Sequence, residues 1–211
     1  MLRLDGQRLY DDRGWLFEPQ TRCWLPAEPA DGSPLSLAEA VSWLQQESGS
    51  PWRPPVGLIG PRNPSPRQLV TAETIGAGIA GLGLTLLCGG HQGVMEAACR
   101  GAHARGGITI GILPGTRRED ANPFVTYPIP TGLGHGRNML VARAAQAVIA
   151  IGGSFGTLSE IAFAKIEGIT VVGLQTWGLQ RPRRPDDPIR RATDAKEAVA
   201  MALEAARAAP R

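Results

Sequence analysis

The stretch Ala147-Val148-Ile149-Ala150-Ile151-Gly152-Gly153-Ser154-Phe155-Gly156-Thr157-Leu158-Ser159-Glu160 decides the fold. Five apolar residues without a charge form the pattern of a strand buried on both faces, as in a parallel sheet, and the glycines after them end it abruptly. Ile161, Ala162, Phe163, Ala164 and Ile166 then continue at helical spacing, so the order is strand, glycine loop, helix. The first-turn N–H groups of such a helix lack internal partners and carry the positive end of its dipole. An anion fits there. Gly152, Gly153 and Gly156 let the backbone approach a phosphate, Ser154 and Thr157 add hydroxyls, and the main chain of Phe155 lies between them. The same letters also fit a purely structural motif. Thr157-Leu158-Ser159-Glu160 is a T-x-x-E capping box, in which Glu160 would return a bond to the helix start.

Upstream of this stretch, strands and helices alternate from Val56. Val56-Gly57-Leu58-Ile59-Gly60 reads as a short strand, with a helix from about Pro66 to Gly81. Gly76-Ala77-Gly78-Ile79-Ala80-Gly81 spells G-x-G-x-x-G, but it closes a helix instead of leaving a strand, so it reads as a close-packed helix end. The strand Leu84 to Leu87 leads into a second glycine loop of correct polarity, Gly89-Gly90-His91-Gln92-Gly93, and a helix from Val94-Met95-Glu96. Two such loops after neighbouring parallel strands would face each other at the carboxyl edge, where open α/β sheets bind ligands. Further strands are expected at Gly107 to Leu113, Val125 to Ile129 and Thr170 to Leu174. A helix is expected from Arg137 to about Gln146, and Asp194 should cap a final amphipathic helix. A cation in the first turn of a helix opposes the dipole, so Arg137 should have an anionic partner, either a carboxylate or a ligand phosphate. The fold class that follows is α/β, a Rossmann-like doubly wound parallel sheet with helices on both faces.

Residues 1 to 54 differ in texture: they hold four of the five Trp, at 15, 24, 43 and 52. Short apolar patches separated by polar turns predict a small strand meander, followed by a helix opened by Ser36-Leu37-Ala38-Glu39. The reading is an appendage over 1–54, its tryptophans packed on a main domain over 55–211, with Pro51, Pro54 and Pro55 as the linker.

Of the 211 residues 43% are apolar, which supports a globular chain, and the net charge is +3. Twenty of the twenty-two basic residues are Arg, scattered except for Arg181, Arg183, Arg184, Arg190 and Arg191 near a loop expected at Gln180 to Pro188. That cluster lacks interleaved stacking aromatics, so nucleic acid is not the expected partner. Cys23, Cys88 and Cys99 form no C-x-x-C and read as buried spectators in a reducing compartment; His91, His103 and His135 lack metal-helix spacing. Charges interrupt the N-terminus and no apolar run reaches spanning length, which points to the cytoplasm and away from a membrane.

The segments Gly89 to Ala97, Gly132-Leu133-Gly134-His135-Gly136-Arg137-Asn138 and Gly152 to Glu160, in this order, resemble the LOG-like (SLOG) Rossmann superfamily. The likeness spans about residues 56 to 174 and is strongest to the branch containing molybdenum cofactor carrier proteins and proteins labelled possible lysine decarboxylases. LOG enzymes hydrolyse the N-glycosidic bond of cytokinin nucleoside 5′-monophosphates and carry P-G-G-x-G-T-x-x-E. Here Gly156, Thr157 and Glu160 match that motif, while Gly152 stands for its Pro and Ser154 for its second Gly. The resemblance implies catalytic roles for Arg137 and Glu160, with Arg143 as a further family arginine, and Asn138 where the family has Lys. It implies ligand or phosphate contacts at Gly60, Gly89, Gly90, Gly93, Met95, Asn138 and Gly152 through Thr157. It also implies a homodimer or higher homo-oligomer with sites near the interface. Three functions stay open: phosphoribohydrolase, carrier of a phosphorylated pterin, and nucleotide sensor. N-glycosidic cleavage needs negative charge beside an oxocarbenium-like sugar and a positioned water, which Glu160 would supply without a metal or other cofactor.

Overall fold

A computed structural model describes residues 1–19, 21, 23–28, 31–49, 55–179 and 188–208, and for 206–208 the backbone only. The chain divides into two compact units, Met1–Arg53 and Pro54–Arg211. In the first, β1 (Leu2–Asp5), β2 (Arg8–Asp11), β3 (Trp15–Glu18), β4 (Cys23–Pro26) and β5 (Ser33–Leu35) form one sheet in the order β4-β3-β2-β1-β5. The expected meander is present. The helix α1 (Leu37–Gln46) opens on the expected capping box: Ser36 Oγ accepts from Glu39 N–H at 3.2 Å and Glu39 accepts from Ser36 N–H at 2.8 Å. Trp43 is 4% exposed and, with Leu2, Leu9 and Ala40, makes a core inside this unit, against which Trp24 and Phe17 pack. Trp43 and Trp24 thus find apolar surroundings within the unit itself. Trp15 is exposed, and Trp52 lies outside the described residues.

The second unit alternates strand and helix. Its strands are β6 (Pro55–Ile59), β7 (Thr85–Cys88), β8 (Thr109–Leu113), β9 (Tyr127–Pro130), β10 (Ala147–Ile151), β11 (Thr170–Leu174) and β12 (Arg190–Arg191). Its helices are α2 (Pro66–Gly81), α3 (Val94–His103), α4 (Asn138–Ala144), α5 (Phe155–Ile166) and α6 (Ala195–Ala208). The sheet runs β12-β11-β10-β6-β7-β8-β9, and every pairing in it is parallel. All five residues of β10 are at most 1% exposed, as the uncharged run requires. Right-handed crossovers place α2 and α3 on one face and α5 on the other. Accordingly α2 packs on α3 and α6, and α4 packs on α5.

Gly76, the first glycine of the G-x-G-x-x-G of α2, has a packing cause. A Cβ on Gly76 would stand 2.0 Å from the Ala98 carbonyl oxygen of α3, and one on Gly101 of α3 would stand 2.0 Å from the Glu73 carbonyl oxygen of α2. Each glycine therefore admits the other helix's backbone, and Arg100 fixes the pair at the surface through bonds of 3.2 and 2.8 Å to Glu73.

Several expectations shift. The strand expected from Gly107 begins at Thr109, because Gly107 N–H closes the end of α3 on the Ala102 carbonyl at 2.9 Å. The strand expected at Val125 begins at Tyr127, because Val125 N–H completes a turn on Asn122 O at 3.2 Å. The helix expected from Arg137 is a 3-10 turn over Gly134–Arg137 followed by α4, and it stops before Gln146, whose N–H already joins Pro55 O at 2.9 Å. Pro55 opens β6 instead of belonging to a linker, and Arg190 and Arg191 make a short edge strand. The loop expected at Gln180 to Pro188 lies, up to 187, outside the described residues, as do Arg181, Arg183 and Arg184. Cys88 and Cys99 are buried free thiols with sulfurs 3.6 Å apart, but Cys23 is exposed, since β4 has only one partner strand.

Sheet order places the site. From β6 the chain steps to β7, β8 and β9 in one direction, whereas β10, β11 and β12 continue in the other, so β6 and β10 bound a topological switch point. The two glycine loops follow β7 and β10, which are not neighbours: β6 separates them. Two strand spacings, roughly 10 Å, therefore lie between the loops.

Candidate functional site

At the carboxyl end of β10, Gly152 turns with φ +60°, and a Cβ there would press within 2.5 Å of the Gln68 side chain. Ser154 is the N-cap of α5. Its Oγ accepts from Thr157 N–H at 3.3 Å and lies 3.1 Å from Thr157 Oγ1. Thr157 is thus the third helical residue, 1% exposed, and Glu160 sits one turn further on. The T-x-x-E capping box is not formed, because Ser154 takes the capping role and Glu160 lies beyond reach of the helix start. The first-turn N–H groups of Phe155 and Gly156 are left as the donors without intrahelical acceptors.

Glu160 instead faces Arg137. Arg137 Nη1 donates to Glu160 Oε1 at 2.6 Å, with the two side chains 10% and 8% exposed. The expected anionic partner of Arg137 is therefore a carboxylate. The same Nη1 donates to Asn138 Oδ1 at 2.5 Å, while Asn138 Nδ2 donates to Ser159 Oγ at 2.6 Å, and Ser159 Oγ donates to the Gly156 carbonyl at 2.8 Å. Asn138 has both polar ends on protein and braces α4 against α5. Burial pushes the Glu160 carboxyl above the usual carboxylate range, and the Arg137 charge and hydrogen bond pull it back only in part. Arg137 Nε is buried without a partner. Arg143 lies on the surface, 3.6 Å from Glu167, away from this network.

The β7–α3 loop meets the pair from the other side. A Cβ on Gly89 would stand 2.6 Å from Arg137 Nη2 and 3.0 Å from the Met95 sulfur, so Gly89 is where the guanidinium crosses the backbone. Gly90 and Gly93 take φ of +75° and +77°, and a Cβ on Gly93 would meet the Arg62 carbonyl at 2.3 Å. Asn122 holds this loop, donating to the carbonyls of Gly90 and His91 at 3.2 and 3.0 Å. Gly60 admits close packing: a Cβ there would stand 2.6 Å from Val94 and 2.7 Å from the Ile151 carbonyl. Met95 is 6% exposed beneath the loop.

Three contributors were not singled out as site residues by sequence reasoning. Trp177 donates from its indole to the Ser154 carbonyl at 3.2 Å, lies against Phe155 with ring centroids 5.9 Å apart, and comes so close to Gly153 that a Cβ there would be 2.5 Å from Nε1. Its only sequence signal is that it is the one Trp outside the first 54 residues. Gln68 caps α2 by accepting from Ser65 N–H at 2.9 Å and touches Gly152. His91 is 9% exposed, and its Nε2 has no partner. A cleft of about 130 Å³ opens beside Gly152 between β10, β11, α2 and α6, lined by Gln68, Thr71, Ile151, Leu174 and Gln175 among others. It lies on the α2 side of the glycine loop, whereas Arg137 and Glu160 lie on the α4–α5 side. Neither Arg137 nor Glu160 lines this cleft.

A parallel sheet with a glycine loop and a bare helix start at its switch point, beside a buried Arg–carboxylate pair, defines an α/β protein of the Rossmann-like kind. The chain belongs to the SLOG cluster4 family, whose model matches residues 53–208. It is similar to the molybdenum cofactor binding protein of the phototrophic bacterium Rippkaea orientalis, at 34% identity and TM-score 0.67, over 72% of this chain and 96% of that one. The molybdenum cofactor carrier protein of Chlamydomonas reinhardtii is similar too, at 34% identity and TM-score 0.65, over 73% of this chain and 98% of the other. A cytokinin riboside 5′-monophosphate phosphoribohydrolase of Mycobacterium marinum is 34% identical over 122 residues, which span 54% of this chain and 65% of the enzyme. Among the described residues no helix is long and apolar enough to cross a membrane.

Proposed function

We propose that this protein binds a phosphorylated heterocyclic compound, a nucleotide or pterin, with its phosphate on the first turn of α5 and its middle over Arg137 and Glu160. The observation that carries this reading is the buried Arg137–Glu160 pair, at 2.6 Å, beside the free N–H groups that open α5. Phe155 and Gly156 offer their N–H groups to the phosphate, Gly152 and Gly153 admit the Gln68 and Trp177 side chains, Ser154 and Thr157 shape the turn, and Gly89, Gly90 and Gly93 line the far end. The similar proteins of Rippkaea orientalis and Chlamydomonas reinhardtii, matched over 96% and 98% of their own lengths, are a molybdenum cofactor binding protein and a molybdenum cofactor carrier protein, which supports carriage of a phosphorylated pterin without bond cleavage as the first reading. The family resemblance adds a cytoplasmic homo-oligomer, which sedimentation velocity would measure. Fluorescence of a pterin released from the purified protein supports carriage. Titration with pterin phosphate and nucleoside monophosphates that shows no binding at all would overturn the site.

One observation favours a second reading, hydrolysis of a nucleoside 5′-monophosphate. The Glu160 carboxyl is held above its usual range by burial, as in an acid or base tuned toward neutrality. Water would add its oxygen to the sugar carbon as the carbon–nitrogen bond breaks, and the base would leave with the proton. Chromatography of the protein incubated with such nucleotides decides it: release of free base that Glu160→Gln abolishes, with nucleotide binding retained, supports hydrolysis.

A further inference from the structure

Helix α5 carries no charge on the side that it turns to solvent. Its two charged side chains are both directed elsewhere: Glu160 meets Arg137 inside the protein, and Lys165 Nζ donates to the Ile169 carbonyl at 3.4 Å. What remains outward is the stripe Phe155, Ser159, Ala162 and Ile166, at spacings of four, three and four residues, which is one side of a helix. Phe155 is 82% exposed and Ile166 76%. Ser159 fits the apolar character, because its hydroxyl already donates to the Gly156 carbonyl at 2.8 Å and accepts from Asn138 at 2.6 Å. A helix that is apolar all round is one whose outer side is covered as well.

The sheet beneath points the same way. Helices α2, α3 and α6 pack together over one face, whereas among the described residues only α4 and α5 cover the other. Ile112 shares the core of that second face with Val141 of α4 and Ile161 of α5. Tyr127 and Ile129 of the edge strand β9, the register partners of Ile110 and Ile112, stand on the same face and are 56% and 44% exposed. Parallel sheets bury both faces. One copy of the chain thus leaves its α4–α5 face partly open.

The stripe itself identifies what completes it. Read from either end it is the same: a large residue, a small one four positions on, a small one three further, a large one four further. A two-fold axis between residues 160 and 161 lays such a stripe on its own antiparallel image. Phe155 of one copy then meets Ile166 of the other, while Ser159 and Ala162 let the helices approach at the crossing. A charged partner such as nucleic acid would find no complementary group there. The Arg143–Glu167 ion pair, at 3.6 Å, stands beside the end of the stripe, as polar groups rim an apolar interface centre.

We propose that a second copy of this chain packs its own α5 antiparallel on this stripe, about a two-fold axis near residues 160 and 161. The inference rests on the homo-oligomer proposed above and supplies its interface. Phe155 opens α5 and lies against Trp177 with ring centroids 5.9 Å apart, so the contact sets Ile166 of each copy against the flank of the other's phosphate seat.

Ala162 is exposed and sits next to the axis, so it carries the test. Sedimentation velocity of the full chain over a concentration series should show a dimer or another even-numbered assembly. Ala162→Arg, and separately Ala162→Glu, set two like charges facing each other across the axis; each should halve the native mass, weakening the contact at least about a hundredfold. Mixing the two variants pairs Arg with Glu and should restore the native mass. Circular dichroism checks that each variant folds, and Ile166→Glu, at a position 76% exposed, is a second route to the same loss. A native chain that sediments as a monomer would overturn the homo-oligomer and this interface together. A native mass that survives all three substitutions, or a mixture that stays at half mass, would overturn the α5 contact and leave the homo-oligomer standing.

Discussion

Replacing Arg137 by Met keeps most of the side chain's volume and removes the cation from a pair whose members are 10% and 8% exposed. Removing one partner of a buried ion pair costs about 3 to 5 kcal/mol, because the other charge is left uncompensated. Here the remaining group can escape by taking a proton. Burial already holds Glu160 above the usual carboxylate range with Arg137 present, and without Arg137 it rises further. The sign follows from proton counting. Where native Glu160 in the variant keeps its proton and unfolded Glu160 loses it, stability falls as pH rises, by about 1.4 kcal/mol per unit. That window opens near pH 4.5, the ordinary glutamate value, and closes at the raised folded value. The parent has the same dependence over a narrower window, so the gap between parent and variant widens with pH. Urea denaturation at pH 5, 6.5 and 8, followed by circular dichroism, should show the Arg137→Met penalty growing as pH rises, by up to about 1.4 kcal/mol for each pH unit inside that window. Glu160→Gln should show a large penalty with far less pH dependence, since the stranded guanidinium cannot lose its proton. An Arg137→Met penalty that stays flat from pH 5 to pH 8 would refute the reasoning, for it would mean that Glu160 remains hydrated and ionised at no cost.

Gly76→Ala puts a Cβ 2.0 Å from the Ala98 carbonyl oxygen, backbone against backbone, so α2 and α3 must separate; denaturant titration should register a loss of about 2 kcal/mol or more. Ser154→Ala removes the cap of α5 and should cost about 1 kcal/mol by the same measurement, with weakened binding of a phosphate-bearing ligand. Gly153→Asp forces a side chain toward Trp177 and sets a carboxylate at the phosphate seat; affinity for nucleoside monophosphates should fall at least tenfold, and undiminished affinity would argue against the seat.

Most of the second unit was legible from local pattern. The apolar run at 147–151, the glycines after it and the helical spacing beyond Ile161 state the strand, loop and helix directly, because burial on both faces excludes charge and bare helix starts invite small residues. Helix α2 matched its expected bounds, since the Ser65 cap and Pro66 mark its start in the letters themselves. Strand starts near Gly107 and Val125 were each misplaced by two residues because turn hydrogen bonds compete for those groups and leave no mark in composition.

What the sequence determined by itself was the parallel α/β class, the polarity of both glycine loops, and the need of Arg137 for an anion. These depend on periodicity and on backbone electrostatics within a turn or two, and such terms are written in neighbouring residues. The tertiary structure alone decided which anion that is, that Ser154 and not Thr157 caps α5, and that β6 parts the two loops. It also brought Trp177 against the start of α5. Those outcomes turn on strand order and on side chains 23 residues away in sequence reaching groups on α5 and its loop, as Arg137 does at Glu160 and Trp177 at Ser154. No local pattern records which distant side chain the fold brings there.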